Sequence, residues 1–221
     1  MEMNIKNCWY KDRCTNNCTE SCIRYRLMKS LYQQSRLPQS MWKYKKLVCN
    51  DLDLEVFKEL NDISHNMKDF VANGKNICIY SENCGNGKTS WAIRLLFEYF
   101  NDIWHESHLD MHGLFVNVPN FMYNCKRSIS QDVKGFEQLC NDIEKADIVI
   151  WDDICSSPYT AYEHDILLQY VDGRINAGKS NIFTGNQDEE RTSDMIGKRL
   201  SSRIFGCSKV FHFREGDKRT W

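Results

Sequence analysis

The sequence has few prolines and no long uncharged stretch, and these absences narrow the kind of protein that it encodes. Only three of the 221 residues are proline, so few linkers between domains are expected. The longest run without a charged residue or histidine, residues 113–125, is shorter than the roughly 18 residues of a membrane-spanning helix. The amino-terminal residues lack the apolar core of a signal peptide. We therefore expect a cytoplasmic protein with one α/β domain and a small appendage.

A dominant charge is also lacking, since the formal net charge is −1. The charges are nevertheless unevenly distributed along the chain. Residues 1–50 contain ten Lys or Arg against three Asp or Glu, and residues 196–221 contain seven against two. Basic ends around an acidic middle suit a protein that contacts nucleic acid or an acidic partner with its ends. They are equally compatible with ordinary solvated surfaces.

Cysteine, by contrast, is abundant, with eleven residues. Seven are scattered singly, which is typical of a reducing compartment. The other four, Cys8, Cys14, Cys18 and Cys22, fall within fifteen residues and predict a metal site, with zinc favoured over an iron–sulfur cluster and over no metal. If residues 14–22 formed one helix, its outer thiolates would lie about 12 Å apart along the axis. One zinc ion bound by all four therefore requires a turn within this segment.

Short apolar segments alternate with amphipathic segments over most of the chain. Strands are predicted at residues 77–81, 114–118, 147–151, 181–184 and 209–213, and helices at residues 88–100, 160–178 and 193–205. This alternation predicts an α/β fold with a parallel sheet and helices on both faces. A boundary near Pro38 separates a Cys-rich amino-terminal module, residues 1–40, from the α/β domain, residues 41–221.

The strongest motif is a glycine-rich loop after the first strand, ending in Gly87-Lys88-Thr89. Phosphate oxygens need several N–H donors at close range, and glycines let the backbone come that near. Lys88 is expected to reach the β- and γ-phosphates of ATP, and the Thr89 hydroxyl to bind Mg²⁺. Glu82 stands where the usual pattern has its first glycine, so its carboxylate must point away from the phosphates. The loop residues predicted to bind ATP and Mg²⁺ are Cys84, Gly85, Asn86, Gly87, Lys88, Thr89 and Ser90.

Two consecutive acids, Asp152 and Asp153, follow the apolar strand at residues 147–151. The first is expected to hold Mg²⁺ through water and the second to polarise the attacking water. Asn186 follows the fourth strand, which is predicted to lie beside the phosphate-binding strand, and its amide can position that water. Together with Lys88, these three residues form a predicted catalytic set that favours hydrolysis over phosphoryl transfer to a second nucleotide.

Two arginines, Arg199 and Arg203, lie one turn apart on the predicted helix at residues 193–205. In a ring of subunits, one of them can reach the neighbour's ATP site as an arginine finger. The alternative is that both are solvated cations on a surface helix.

These motifs together resemble the DnaC/DnaI/IstB-like helicase-loader family of AAA+ ATPases. The resemblance covers residues 77–221 and rests on the stretches Asn-Cys-Gly-Asn-Gly-Lys-Thr, Ile-Val-Ile-Trp-Asp-Asp, Thr-Gly-Asn, Leu-Ser-Ser-Arg-Ile and Phe-Arg-Glu-Gly-Asp-Lys-Arg. It implies an AAA+ P-loop sheet without a carboxyl-terminal helical lid. It also implies that Arg203 is the finger and that Arg219 senses nucleotide within its own subunit.

The same resemblance implies partners. A loader of this family binds a DnaB-type replicative helicase and places it on single-stranded DNA, with ATP as a switch and with slow hydrolysis. Such loaders assemble into a ring or spiral and act in the bacterial cytoplasm. Short loaders are frequently encoded by phages and mobile elements. An amino-terminal module, sometimes zinc-binding, docks on the helicase, and we assign this role to residues 1–40.

Two surfaces are candidates for partner contacts. The segment at residues 22–35 is predicted to be a helix that presents Tyr25, Met28, Leu31 and Tyr32 either to a partner helix or to the metal module itself. Tyr123, Lys126 and Arg127 follow the second strand and are candidates for contacts with single-stranded DNA. An ordinary surface loop with two cations is the alternative for the second group.

Three other functions remain open on the sequence. An IstB-like transposition helper would use the same ATP site with a transposase as partner and duplex DNA as track. A P-loop nucleotide kinase is disfavoured by the paired acids and by the finger arginine. A nucleotide-gated adaptor that never hydrolyses ATP would not need Asp153.

Overall fold

The computed structural model describes residues 22–43, 47–49, 51–108 and 110–218. These residues contain five β-strands and nine α-helices. The strands are β1 Asn76–Tyr80, β2 Gly113–Asn117, β3 Ile148–Asp152, β4 Ser180–Gly185 and β5 Lys209–His212. The helices are α1 Ile23–Gln34, α2 Leu54–Ser64, α3 Met67–Ala72, α4 Lys88–Ile103, α5 Val118–Ser128, α6 Phe136–Lys145, α7 Ala161–Asn176, α8 Glu189–Ile196 and α9 Lys198–Gly206. Within the described ranges, no helix is long and apolar enough to span a membrane.

The five strands form one parallel sheet in the order β2-β3-β4-β1-β5. The sequence predicted all five strands and the adjacency of β1 and β4, and both predictions are confirmed. β3 is buried along its whole length, as expected for an apolar strand covered on both faces. Because all strands run the same way, the loops that follow β1, β3 and β4 meet at one edge of the sheet.

Helices cover both faces of the sheet and enclose two apolar cores. On one face, side chains of α1 to α4 pack against the sheet residues Ile77, Ile79 and Ile150. On the other face, side chains of α5 to α9 pack against Trp151 and Phe183. The predicted α/β architecture with helices on both faces is therefore confirmed.

Helix α1 packs on the sheet domain. The sequence had suggested a partner helix or the metal module as its contact, and both suggestions are wrong for its buried side chains. Met28, Leu31 and Tyr32 are buried, and the Tyr32 ring centroid lies 4.5 Å from that of Phe97 on α4. The carbonyl oxygen just after this helix, that of Ser35, accepts a 2.8 Å hydrogen bond from the β2 backbone. The apolar spacing was interpreted correctly as a helix, but these side chains belong to the core of the sheet.

The prediction of a single helix at residues 193–205 is wrong, because the chain forms two helices there. α8 and α9 are separated at Gly197, whose φ of 85° lies in the region that favours glycine. A β-carbon at this position would also lie 3.0 Å from the His164 ring. The predicted capping box at the start of α7 is confirmed, with the Thr160 and Glu163 side chains each bonded to the other's backbone N–H.

A buried arginine, Arg174 at the end of α7, joins the amino-terminal ends of β3 and β4 to the end of α6. Its guanidinium donates to the carbonyl oxygens of Ile143, Ala146, Asp147 and Ser180, and to the side-chain oxygen of Asn181. Burial lowers the pKa of Arg174 to about 9, so the side chain remains protonated at neutral pH. Its charge is satisfied by backbone dipoles, because none of these partners is a carboxylate.

Replacing this arginine is expected to destabilise the fold strongly. Arg174→Met removes all five hydrogen bonds and leaves buried carbonyl oxygens without donors, so we expect the free energy of unfolding to fall by about 3 kcal/mol or more. Urea denaturation measures the change. Arg191→Met, which replaces an exposed arginine on α8, is the control and should change stability by less than about 0.5 kcal/mol. Similar losses for the two variants would contradict this account of Arg174.

Candidate nucleotide-binding site

A cavity of about 400 Å³ opens at the carboxyl-terminal ends of β1, β3 and β4. It brings together the loop after β1, the paired acids after β3 and the polar residues at the end of β4. Its lining residues are Cys84, Gly85, Asn86, Gly87, Lys88, Thr89, Ser90, Asn117, Asp152, Asp153, Thr184, Gly185 and Asn186. All seven predicted loop residues line this cavity, and so do the predicted Asp152, Asp153 and Asn186. Asn117, Thr184 and Gly185 were not predicted.

The loop after β1 has the backbone of a phosphate cradle. Gly85 and Gly87 have φ values of 73° and 102°, which residues with a β-carbon rarely adopt. Helix α4 begins immediately afterwards at Lys88 and is 16 residues long, so its first N–H groups and the positive end of its dipole face the cavity. This end of the site therefore suits an anion with several oxygens.

The Lys88 side chain lies along the floor of the loop. Its Nζ donates to the carbonyl oxygen of Asn83 at 2.8 Å, and to Ser81 O and Asn86 Oδ1 at 3.4 and 3.3 Å. Burial lowers the pKa of this ammonium group, while the nearby acids Asp152 and Asp153 oppose that shift. A phosphate would meet a partly desolvated cation, for which the attraction is stronger than at an open surface.

The unusual Glu82 turns away from the cavity. Its Oε2 lies 2.9 Å from Nε2 of His212 on the edge strand β5, and Glu82 is not among the lining residues. Hydrogen bonds to its own backbone N–H and to His212 lower the pKa of this carboxyl group. The His212 ring in turn stacks on Tyr80, with centroids 4.5 Å apart. The negative charge that replaces the first glycine is thus held on the sheet edge.

The paired acids occupy different positions around one hydroxyl group. Thr184 Oγ1 donates to Asp152 Oδ1 at 2.8 Å and accepts from the Asp153 backbone N–H at 3.0 Å. Asp152 Oδ1 also accepts from the Thr89 hydroxyl at 2.7 Å, so the P-loop is bonded directly to β3. The sequence offered a weak signal for Thr184, namely its place two residues before the predicted Asn186.

Asp153 is held in a strained conformation that its neighbours stabilise. Its φ of 60° lies in the left-handed region, where aspartate is tolerated at some cost. Asn186 Nδ2 donates to its carboxylate at 2.9 Å. Burial and the adjacent Asp152 raise the pKa of Asp153, and Lys88 opposes this shift only in part. The carboxylate is therefore more basic than that of an ordinary aspartate.

Neither finger candidate lies at this cavity. Arg203 Nε is 2.7 Å from Asp172 Oδ1 on α7, and Arg199 is exposed on α9. Arg219 lies outside the described residues, as do Cys8, Cys14 and Cys18. The fourth cysteine of that cluster, Cys22, accepts a hydrogen bond from the Tyr25 backbone at the start of α1. In the described part of the chain, no three His, Cys, Asp or Glu residues are grouped to hold a metal ion.

The three DNA candidates lie on helix α5, away from this cavity. The Tyr123 side chain is 59% exposed, and the Arg127 guanidinium lies 5.6 Å from its ring centroid. Lys126 is paired with Glu163 on α7 at 2.9 Å. Tyr123 and Arg127 therefore form an exposed aromatic and cationic pair, whereas the charge of Lys126 is partly neutralised.

The negative charge of Asp153 next to Asp152 predicts a gain in stability on substitution. Asp153→Asn keeps an oxygen acceptor for Asn186 and a residue that tolerates positive φ, but removes a carboxylate next to Asp152. A raised pKa means that ionised Asp153 destabilises the fold at pH values above the ordinary aspartate pKa. We expect the variant to be more stable by about 0.5–1 kcal/mol at pH 7, with the gain vanishing near pH 3.

Urea denaturation at the two pH values tests this prediction. Asp132→Asn, which replaces an exposed aspartate in the loop between α5 and α6, is the control and should show no such gain. A gain at Asp153 of equal size at both pH values would show that the carboxylate charge is not its cause.

Comparison with known proteins supports the interpretation of these motifs. No model of a known protein family matches the chain. The replicative helicase loader DnaC of Buchnera aphidicola (from Acyrthosiphon pisum) is 27% identical over 130 residues, which are 57% of this chain and 49% of that protein. DnaC of Escherichia coli K12 is 26% identical over 91 residues, covering 41% and 37% of the two chains. The chain thus spans about half, or less, of the length of these curated relatives.

Solved structures agree on the fold. The crystal structure of the DnaC helicase loader superposes with a TM-score of 0.65 at 15% identity, covering 80% of this chain and 100% of that one. DnaI gives 0.62 at 17% identity, covering 85% and 100%. The replication initiator DnaA bound to AMPPCP and single-stranded DNA gives 0.58 at 15% identity, covering 77% and 48%. The resemblance of the motifs to helicase loaders is thereby confirmed for DnaC in sequence, over about half of this chain, and for DnaC and DnaI in fold.

Proposed function

We propose that this chain is an ATPase that loads a DnaB-type replicative helicase onto single-stranded DNA, with ATP binding and slow hydrolysis as its switch. The observation that carries the proposal is the set of hydrogen bonds that joins Thr89, Asp152, Thr184, Asp153 and Asn186 beside the glycine loop. Similarity to helicase loaders named DnaC supports the choice of partner.

The loop supplies the hydrogen-bond donors and the positive charge that bind a nucleoside triphosphate. The backbone of residues 84–88 and the start of α4 offer N–H donors to the β- and γ-phosphates, and Lys88 adds a cation. Lys88 would exchange its bonds to the Ser81 and Asn83 carbonyl oxygens for bonds to phosphate oxygens. Thr89 and Asp152 fit Mg²⁺, because that ion prefers oxygen ligands and their side-chain oxygens already adjoin. When bound, Mg²⁺ would neutralise phosphate charge.

Asp153 is the base in this proposal. Its raised pKa suits a carboxylate that accepts a proton from the attacking water, and Asn186 fixes its orientation. Neither Arg199 nor Arg203 lines the cavity of its own subunit, so in this proposal the arginine finger acts on the cavity of a neighbouring subunit. Arg203 is the candidate that the resemblance favours, since it stands in the Leu-Ser-Ser-Arg-Ile stretch, and it would exchange its 2.7 Å pairing with Asp172 for a contact with the neighbour's nucleotide. A ring or spiral of subunits would bring the two together.

Two substitutions separate nucleotide binding from hydrolysis. Asp153→Asn should retain ATP binding and lower the hydrolysis rate by about 100-fold or more, because the base is lost. Lys88→Ala should abolish binding, because the loop loses its cation. Binding is measured by calorimetry with Mg-ATP and hydrolysis by phosphate release, with Asp132→Asn as the unaffected control. In the wild-type protein the rate should fall on acidification, starting at a higher pH than for an ordinary aspartate.

An unchanged hydrolysis rate in Asp153→Asn would exclude Asp153 as the base. Absence of hydrolysis in the wild-type protein, with ATP binding intact, would instead favour a nucleotide-gated adaptor.

The helicase and DNA contacts are assigned to different parts of the chain. Within residues 1–40, the part before α1 is the proposed docking module, with zinc held by Cys8, Cys14, Cys18 and Cys22. Single-stranded DNA is assigned to α5, where the exposed Tyr123 ring can stack on a base and Arg127 can pair with phosphate. Lys126 contributes less in this proposal, because Glu163 holds it.

The docking assignment is tested by co-migration with a DnaB-type helicase on a sizing column, with and without ATP. The deletion that removes the module should end at residue 21, because a longer one removes α1 and exposes the core around Tyr32. We expect a complex with the full chain and none with the deletion. We also expect about one zinc per chain by mass spectrometry, lost in Cys14→Ser and kept in the control Cys49→Ser.

Absence of a complex under every nucleotide condition, in a protein that still binds ATP, would overturn the loader proposal. The IstB-like transposition helper would then become the leading alternative.

A further inference from the structure

The segment after β5, residues 213–218, lies along the outer side of the glycine loop, and we call it the C-terminal strap. Backbone hydrogen bonds fix both of its ends: Phe213 N donates to Tyr80 O at 2.9 Å, and Lys218 N donates to Gly85 O at 3.1 Å. Between them, the Asn83 side chain donates to the carbonyl oxygens of Arg214 and Glu215 at 3.2 and 3.3 Å. The strap is therefore a second wall of the loop, opposite the cavity.

The strap is held from behind by a fully buried carboxylate, that of Asp53, just before α2. Asp53 Oδ1 accepts from Arg214 N at 2.8 Å and Oδ2 accepts from Glu215 N at 3.3 Å. Asp53 occupies the N-cap position of α2 but makes no side-chain capping bond there. Burying a carboxylate costs free energy unless hydrogen bonds compensate for its lost hydration. These two hydrogen bonds to the strap therefore account for the buried position of Asp53.

The contacts continue from the strap to the predicted phosphate-binding lysine. Glu215 O accepts from Asn86 Nδ2 at 3.3 Å, and Asn86 Oδ1 accepts from Lys88 Nζ at 3.3 Å. Asn86 is buried, and its amide also donates to Ser81 Oγ at 2.6 Å. The orientation of its amide is thus fixed by the strap on one side and by the end of β1 on the other.

We propose that Asp53 is a positioning residue for nucleotide binding. Its carboxylate fixes the peptide N–H groups of the strap, the strap fixes Asn86, and Asn86 directs the Lys88 ammonium toward the phosphates. Asp53 contacts neither nucleotide nor cavity in this proposal, and it acts through residues 30 or more positions away in sequence. The inference rests on the proposed ATP site, and it adds a residue that no motif of that site contains.

The test compares Asp53→Asn with Asp51→Asn, which replaces an exposed aspartate in the short 3₁₀ helix Asp51–Asp53 that precedes α2. Asparagine keeps the shape of Asp53 but has one acceptor oxygen, so its amide nitrogen faces one of the two strap N–H groups. We expect the affinity of the full chain for Mg-ATP, measured by calorimetry, to fall about tenfold in Asp53→Asn and to be unchanged in Asp51→Asn.

A purely structural role is distinguished by a double-mutant cycle with Asn86→Ala. If Asp53 acts through Asn86, the losses of affinity are not additive, and the double variant binds about as weakly as Asn86→Ala alone. If Asp53 only stabilises the fold, its replacement lowers the melting temperature while the folded variant binds Mg-ATP like the wild-type protein. That result, or additive losses, would overturn the proposal.

Two further outcomes are distinguishable. If Asp53→Asn fails to fold, Asn83→Ala takes its place, because Asn83 donates to the carbonyl oxygens of the same two strap residues whose N–H groups Asp53 holds. A tenfold loss there supports the role of the strap, and full affinity contradicts it. If the wild-type chain itself binds no Mg-ATP, the proposed ATPase function fails together with this inference.

Discussion

The geometry of the cavity depends on the hydrogen bonds of the Thr184 hydroxyl group. It lies between the two acids, donating to the Asp152 carboxylate and accepting from the Asp153 backbone. Because β4 is paired with both β1 and β3, this one side chain aligns the phosphate loop with the acids. Without it, Asp152 would lose a donor in a buried environment and Asp153 would lose a bond that holds its positive φ. The parallel sheet makes the contact possible by ending three strands at one edge.

Much of this arrangement could be predicted from the sequence, for reasons that are local. An apolar strand followed by glycines and Lys88-Thr89 predicts a phosphate-binding loop, because adjacent residues determine both its backbone geometry and its charge. The contacts of Thr184 could not be predicted, since the stretch Thr-Gly-Asn that contains it does not show which acids its hydroxyl group contacts. The sequence predicts one helix across Gly197, because a single glycine does not always end a helix. The role of Asp53 depends on contacts more than 160 residues apart.

The basic ends of the chain have a partly internal explanation. Arg36 is paired with Asp142, Arg203 with Asp172 and Lys209 with Glu59. These cations from the amino-terminal and carboxyl-terminal regions therefore neutralise acids of the middle of the chain. These ion pairs weaken the argument that the uneven charge distribution indicates a nucleic acid partner. The stronger argument for DNA is the exposed pair of Tyr123 and Arg127.

The strap has a practical consequence for how this protein is prepared. Because Lys218 N donates to Gly85 O of the phosphate loop, a tag inserted within residues 213–218 would compete with the strap for its bonds to that loop. The exposed loop around Asp132, between α5 and α6, is a better place for an inserted tag.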